Sequence, residues 1–167
     1  MKIVRILAYQ LDLPLKEGSY SFSGGRSIRA YDSTVVRIET DVGIVGHGEV
    51  CPLGPAYLPA YAAGVRAGIT ELGPHLLGHD PTEVGVMGRQ MDRHLKGHPY
   101  IKSPIDMACW DILGKAASVP ISTLLGGCSA DGTAMQYSAI GRSRKIRLSE
   151  CWTGSPITAP RAIDAFN

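Results

Sequence analysis

The order of hydrophobic patterns restricts this chain more than any other feature. β-type runs come first, and helical repeats follow them with no return to a β pattern before residue 127. Residues 2–13 mix Ile, Val, Leu and Tyr with polar side chains, and residues 33–40 (STVVRIET) are dense in the β-branched residues that suit a pleated surface. The short turn Asp41, Val42, Gly43 separates that run from residues 44–49, so the second and third strands are expected to form an antiparallel hairpin. Apolar residues Tyr61, Val65, Ile69 and Leu72 then recur at helical spacing until Pro74. Asp80, Pro81, Thr82 and Glu83 read as the capped start of a second helix with Val84, Met87, Met91 and Leu95 on one face. Ser103 and Pro104 read as the start of a third, whose stripe is Ile105, Ala108, Ile112 and Leu113. The fold class expected is α+β, a three-stranded antiparallel sheet followed by a three-helix bundle, with an irregular C-terminal tail.

Two segments interrupt this plan. Residues 17–26 carry glycine and serine at a density that strands avoid, together with Tyr20, Phe22 and Arg26, and read as a mobile loop with aromatic and cationic tips. Residues 51–59 hold Pro52, Gly54, Pro55 and Pro59 and suit neither a strand nor a helix interior. With 17 basic residues against 15 acidic ones, no block of like charge suggests a nucleic-acid partner. The basic run at Arg142, Arg144, Lys145 and Arg147 reads as a solvated segment. No stretch has the apolar length of a membrane span, and Tyr9, Gln10 and Asp12 break any signal-type core after the basic start, so the expected location is cytoplasmic. Cys51, Cys109, Cys128 and Cys151 lie too far apart for a zinc or dithiol motif and read as reduced thiols.

Specific motifs then enter. The stretch IDMACWDILGKAASVPISTLLGG, with Ala108, Asp111, Gly114, Lys115, Pro120, Leu124 and Gly126, resembles the signature closing the capping domain of the mandelate racemase and muconate lactonizing family of the enolase superfamily. Gly46, His47, Gly48 and Glu49 resemble that family's G-W-G-E strand, with histidine in place of the usual tryptophan. Residues 97–103 and 51–57 resemble the hydroxyproline-type members, which are epimerases and dehydratases. The resemblance covers residues 1–127 and implies an enolase-like N-terminal capping domain there, leaving 128–167 to be read as a remnant of a first barrel strand plus an irregular, frame-shifted tail.

The resemblance also implies a chemistry. In the family, a magnesium ion on three barrel carboxylates stabilises the enediolate made when a barrel lysine or histidine removes the proton α to a substrate carboxylate. The capping loops exclude water and read the distal part of a small-molecule carboxylate substrate. Here they would present Tyr20, Phe22, Arg26 and Tyr57. An aromatic face at Tyr57 suits a ring or quaternary nitrogen, though it equally suits a loop anchor. Tyr20 and Phe22 are expected to pack the loop, and Arg26 either pairs a substrate carboxylate or stays on the surface. A barrel takes about 250 residues, whereas only 40 follow Gly127. Glu150 and Asp164, the only acidic residues beyond Asp131, cannot make a carboxylate triad. No catalytic or metal-ligating residue is therefore assigned to this chain, magnesium is not expected to bind it, and a capping surface without its barrel is expected to self-associate. His75 with His79, and His94 with His98, have the spacing of helical metal pairs, but Pro74, Gly78, Gly97 and Pro99 argue against continuous helices there. Glu49, at a strand end, could serve as acid or base, or orient the adjoining loop. The competing class is a free-standing α+β interaction module without chemistry.

Overall fold

The computed structural model describes residues 1–16 and 18–127 and the strand Arg161–Ile163. Strand β1 (Ile3–Pro14) pairs antiparallel with β4 (Ala30–Thr40), which pairs antiparallel with β5 (Val45–Val50). A two-residue ladder of β2 (Tyr20–Ser21) and β3 (Ser27–Ile28) sits in the stretch expected as a loop. The sheet gains one strand beyond the three expected. Strand β6 (Arg161–Ile163) pairs antiparallel with residues 8–10 of β1, giving the order β5-β4-β1-β6. The expected β4–β5 turn is present, with Gly43 at φ 83° and its N–H donating to Thr40 O at 3.0 Å. Such a φ favours a residue without a Cβ.

Helices α1 (Ala62–Leu72), α2 (Val84–His94) and α3 (Pro99–Ala117) cover one face of the sheet, followed by a short turn of helix, α4 (Ile121–Leu124). Alternation along the strands turns Ile6, Ala8, Val36 and Ile38 toward them. These pack with Val65, Ile69, Leu72, Met87, Met91, Ile105, Ala108, Cys109 and Ile112 into one core. Helix α3 lies directly against β5 because Gly46 and Gly48 carry no side chain. A Cβ at Gly46 would strike the Ala108 carbonyl oxygen and come within 2.6 Å of Ile112 Cγ1. One at Gly48 would strike the Pro104 carbonyl oxygen and come within 2.9 Å of Met107 Cβ.

The outer edge of β5 is covered by the same helix. Asp111 Oδ2 accepts the His47 N–H at 2.9 Å, and Lys115 Nζ donates to Val45 O and to Asp111 Oδ2, each at 2.7 Å. Two of the signature residues thus satisfy backbone groups that an edge strand would otherwise leave unpaired.

Both proline-marked helix starts differ from expectation. Asp80 makes a local turn instead of capping α2: its Oδ1 accepts from the Thr82 N–H (2.9 Å) and hydroxyl (2.7 Å), while its Oδ2 holds the Met1 amino group at 3.1 Å. Helix α2 begins four residues later, at Val84. Helix α3 begins at Pro99, which fills the first helical position, and carries Pro104 in its interior. Interior proline forfeits one backbone hydrogen bond and crowds the preceding turn. The buried pair Ile101 and Ile105 offsets this, since a helix beginning at Pro104 would leave Ile101 outside the core.

The histidine pairs also rearrange. His75, in the 3₁₀ turn Gly73–His75, stacks on His94 at the end of α2, with ring centroids 4.0 Å apart and planes 6° from parallel. Desolvation first, then the neighbouring His75, Arg93 and His79, holds the His94 imidazole below its ordinary pKa. Folding therefore opposes protonation of this ring. Stability from this source is complete above pH 6.5, the ordinary value, and falls as acid titrates the unfolded chain first. Thermal melts between pH 7.5 and 5 are expected to show a falling midpoint, and His94→Gln is expected to flatten that slope. An unaltered slope in the variant would remove the stack as its cause.

Candidate functional site

The strand pairing brings two loops to one end of the sheet. Residues 15–29 connect β1 to β4 where Pro14 faces Ala30, and residues 51–61 leave β5 where Val50 faces Thr34. In the first loop the Phe22 N–H donates to Arg26 O at 2.8 Å, closing a tight hairpin over Gly24 and Gly25, both at positive φ. In the second, the N–H groups of Tyr57 and Leu58 donate to Gly54 O, making one turn that presents Tyr57 outward.

Between the loops lies a cleft of about 370 Å³ whose lining includes Phe22, Arg26, Ile28, Leu53, Ala56 and Tyr57 together with two serines, Ser23 and Ser27. Phe22 sits between two tyrosines, edge-on to Tyr20 (centroids 4.9 Å) and tilted against Tyr57 (5.8 Å). Aromatic pairs in this range add attraction beyond the area they cover. Of the four residues singled out from sequence, Phe22, Arg26 and Tyr57 line the cleft, whereas Tyr20 backs Phe22 from outside. Tyr57 is 61% exposed, so most of its ring is available to a ligand. Arg26 supplies the cleft's cation, and no carboxylate lines it. Sequence reading missed Ile28, Leu53 and Ala56. Ile28 takes its place through the register of a two-residue ladder, which no periodicity could reveal.

Beneath the loops the sheet end is polar. Ser33, wholly buried, donates its hydroxyl to Glu49 Oε1 at 2.5 Å. Arg66 of α1 grips Asp32 with two hydrogen bonds, 2.7 and 3.0 Å, and reaches Thr34 Oγ1 at 3.2 Å. Burial, followed by the Glu49 charge, raises the Cys51 thiol, and burial foremost raises the Tyr31 phenol, with Cys51 and Tyr20 adding to it. Burial with help from Asp106 pushes Cys109 up to about 12, so this thiol stays protonated and inert at neutral pH.

Among the described residues no group of three or more His, Cys, Asp or Glu side chains could hold a metal ion. These residues do not fit a magnesium site, and no chemical step is assigned to a metal on them. No helix among them is long and apolar enough to cross a membrane.

A sheet covered on one face by helices, with two loops rising from one end to enclose an aromatic cleft, defines a capping-type α+β domain. The chain belongs to the mandelate racemase and muconate lactonizing enzyme family of the enolase superfamily, its residues 25–126 matching that family's N-terminal domain. It is 57% identical over 142 residues to a cis-3-hydroxy-L-proline dehydratase from Roseibium aggregatum, covering 85% of this chain and 38% of that protein. It is 33% identical over 133 residues to an N-succinyl-L-Arg/Lys racemase from Bacillus cereus, covering 76% of this chain and 34% of that one. A Roseovarius nubinhibens crystal structure of an enolase superfamily member complexed with magnesium matches with a TM-score of 0.71 at 50% identity, over 80% of this chain and 35% of that one. The chain thus spans a little over a third of the length of these relatives.

Proposed function

We propose that residues 1–127 form the substrate-covering part of an enzyme that removes the proton α to the carboxylate of a cyclic amino acid of hydroxyproline type, with epimerisation or loss of water as the outcome. The observation carrying this reading is the cleft itself, in a chain 57% identical to a hydroxyproline dehydratase. Its walls offer two aromatic faces, one guanidinium and no acid. Such walls bind and orient a small ring and exclude water from it, but they hold no group suited to moving the α-proton. The base and the magnesium ligands of this reading lie outside the described residues. In this reading the described residues cover and orient the substrate, and the proton transfer is carried out by groups outside them.

A chimera tests the reading. Residues 1–127 joined to the remaining part of the Roseibium dehydratase are expected to support magnesium-dependent exchange of the substrate α-proton for deuterium. The 167-residue chain alone is expected to give none. In the chimera, Tyr57→Ala is expected to lower kcat/KM about tenfold, chiefly through KM, the scale of one aromatic contact to a ring. Exchange by the lone chain would overturn the placement of the chemistry, and an unchanged KM in Tyr57→Ala would overturn the role of the cleft.

A further inference from the structure

Where the two loops leave the sheet, one buried hydroxyl joins them. Ser33 stands in β4 just after the first loop, and Glu49 stands in β5 just before the second. Ser33 is wholly buried, so its hydroxyl requires a partner inside the protein. The Glu49 carboxylate supplies it at 2.5 Å, at the short end of the O–H···O range where an ionised acceptor strengthens the bond. A second, longer hydrogen bond from the same hydroxyl reaches Val50 O at 3.4 Å, in the backbone at the second loop's root. Alongside, the Cys51 thiol points to Asp32 O at 3.9 Å, and the Asp32 carboxylate is held by Arg66 of α1, the helix into which the second loop runs. At their tips the same loops touch again through Phe22 and Tyr57.

We propose that the Ser33–Glu49 hydrogen bond buckles the two loops into a single lid, making Glu49 a positioning residue of the cleft. Glu49 does not line the cleft walled by Phe22, Arg26 and Tyr57, so it acts on a ligand there through the walls that it fixes. Without this bond, from either side, the strand ends that root the two loops lose their side-chain tie, and Tyr57 separates from Phe22. The chemistry required is that of an acceptor and neither charge nor volume alone. Glutamine at position 49 therefore serves and leucine does not.

The inference rests on the function proposed for the cleft, but its test needs no substrate. The full chain, labelled with 3-fluorotyrosine and with the Tyr57 signal assigned by Tyr57→Phe, is compared with Glu49→Leu, Glu49→Gln and Ser33→Ala. In Glu49→Leu and Ser33→Ala the ring-current shift of Tyr57 is expected to collapse. Amide exchange at residues 20–28 and 52–58 is expected to rise about tenfold, the scale of one hydrogen bond to a charged acceptor, while exchange in α2 and α3 stays as it was. Glu49→Gln is expected to restore both readings. Unchanged loop exchange and an unchanged Tyr57 signal would overturn the proposal, as would equal behaviour of the Gln and Leu variants. If Glu49→Leu does not fold, Ser33→Ala decides by the same two readings. A failed buckle leaves the chimera result standing, and an inactive chimera with an intact buckle removes only the function of the cleft.

Discussion

Gly48→Ala is expected to lose about 3 kcal/mol of folding stability, or more, and to lower the melting midpoint by about 10 °C or more. The methyl group would drive into the Pro104 carbonyl oxygen and the base of Met107. A side-chain tip could swing aside, but helix backbone cannot move without pulling Ile105 and Ala108 out of the core. Gly46→Ala meets the Ala108 carbonyl and Ile112 in the same way and is expected to behave alike. A loss of that size is a large share of the total stability of a domain such as this. Gly88→Ala in α2 supplies the contrast, because a Cβ there meets nothing within 4 Å. It is expected to stabilise by roughly 0.5–1 kcal/mol through helix propensity alone. Urea and thermal melts by circular dichroism check all three. A Gly48→Ala midpoint within about 2 °C of the parent would mean that β5 and α3 do not touch as described.

This pair of glycines shows why so much of the fold was legible. Strands read from β-branched runs and helices read from apolar spacing both depend on burial of one face, and that burial is written directly into the residue pattern. Local end signals were less reliable. Asp80 and Pro81 look like a helix start, yet the Asp80 carboxylate is held by Thr82 and the Met1 amino group, and the helix waits for Val84. Pro104 looks like another, yet tertiary packing of Ile101 carries the helix back to Pro99. The three-residue pairing of β6 with β1 had no periodic signal to announce it.

Composition marked the two segments as loops, and the family resemblance made them a candidate site. Glycine, proline and aromatic residues singled out both loops, and three of the four chosen side chains line one cleft. What sequence spacing could not supply was which atoms meet across the sheet end. Ser33 and Glu49 are 16 positions apart and meet only because Thr34 faces Val50 in the ladder. His75 and His94 likewise pair across two elements, whereas the regular spacings suggested partners four residues away on each.

The same register argument assigns work to the signature aspartate. Asp111→Ala is expected to cost about 1 kcal/mol, the scale for one hydrogen bond at an exposed edge where water can reach the freed donor. Most of this comes from the His47 N–H, since the Lys115 ammonium is nearly half exposed and its pairing with Asp111 adds only a few tenths of a kcal/mol in water. Asn at the same position keeps an acceptor oxygen for the His47 N–H, so Asp111→Asn is expected to cost well under about 1 kcal/mol. A second consequence separates this residue from an ordinary surface charge. Without the carboxylate, Lys115 loses the partner that holds it over Val45 O, and the outer edge of β5 presents both a free donor and a free acceptor to any passing strand. Asp111→Ala is therefore expected to associate at lower concentration than the parent in light scattering, and Asp111→Asn is not. Equal unfolding free energies for the alanine variant and the parent, with equal scattering, would show that the edge is protected by something other than this helix. A loss in both variants alike would place the effect in the charge and not in the hydrogen bond to His47.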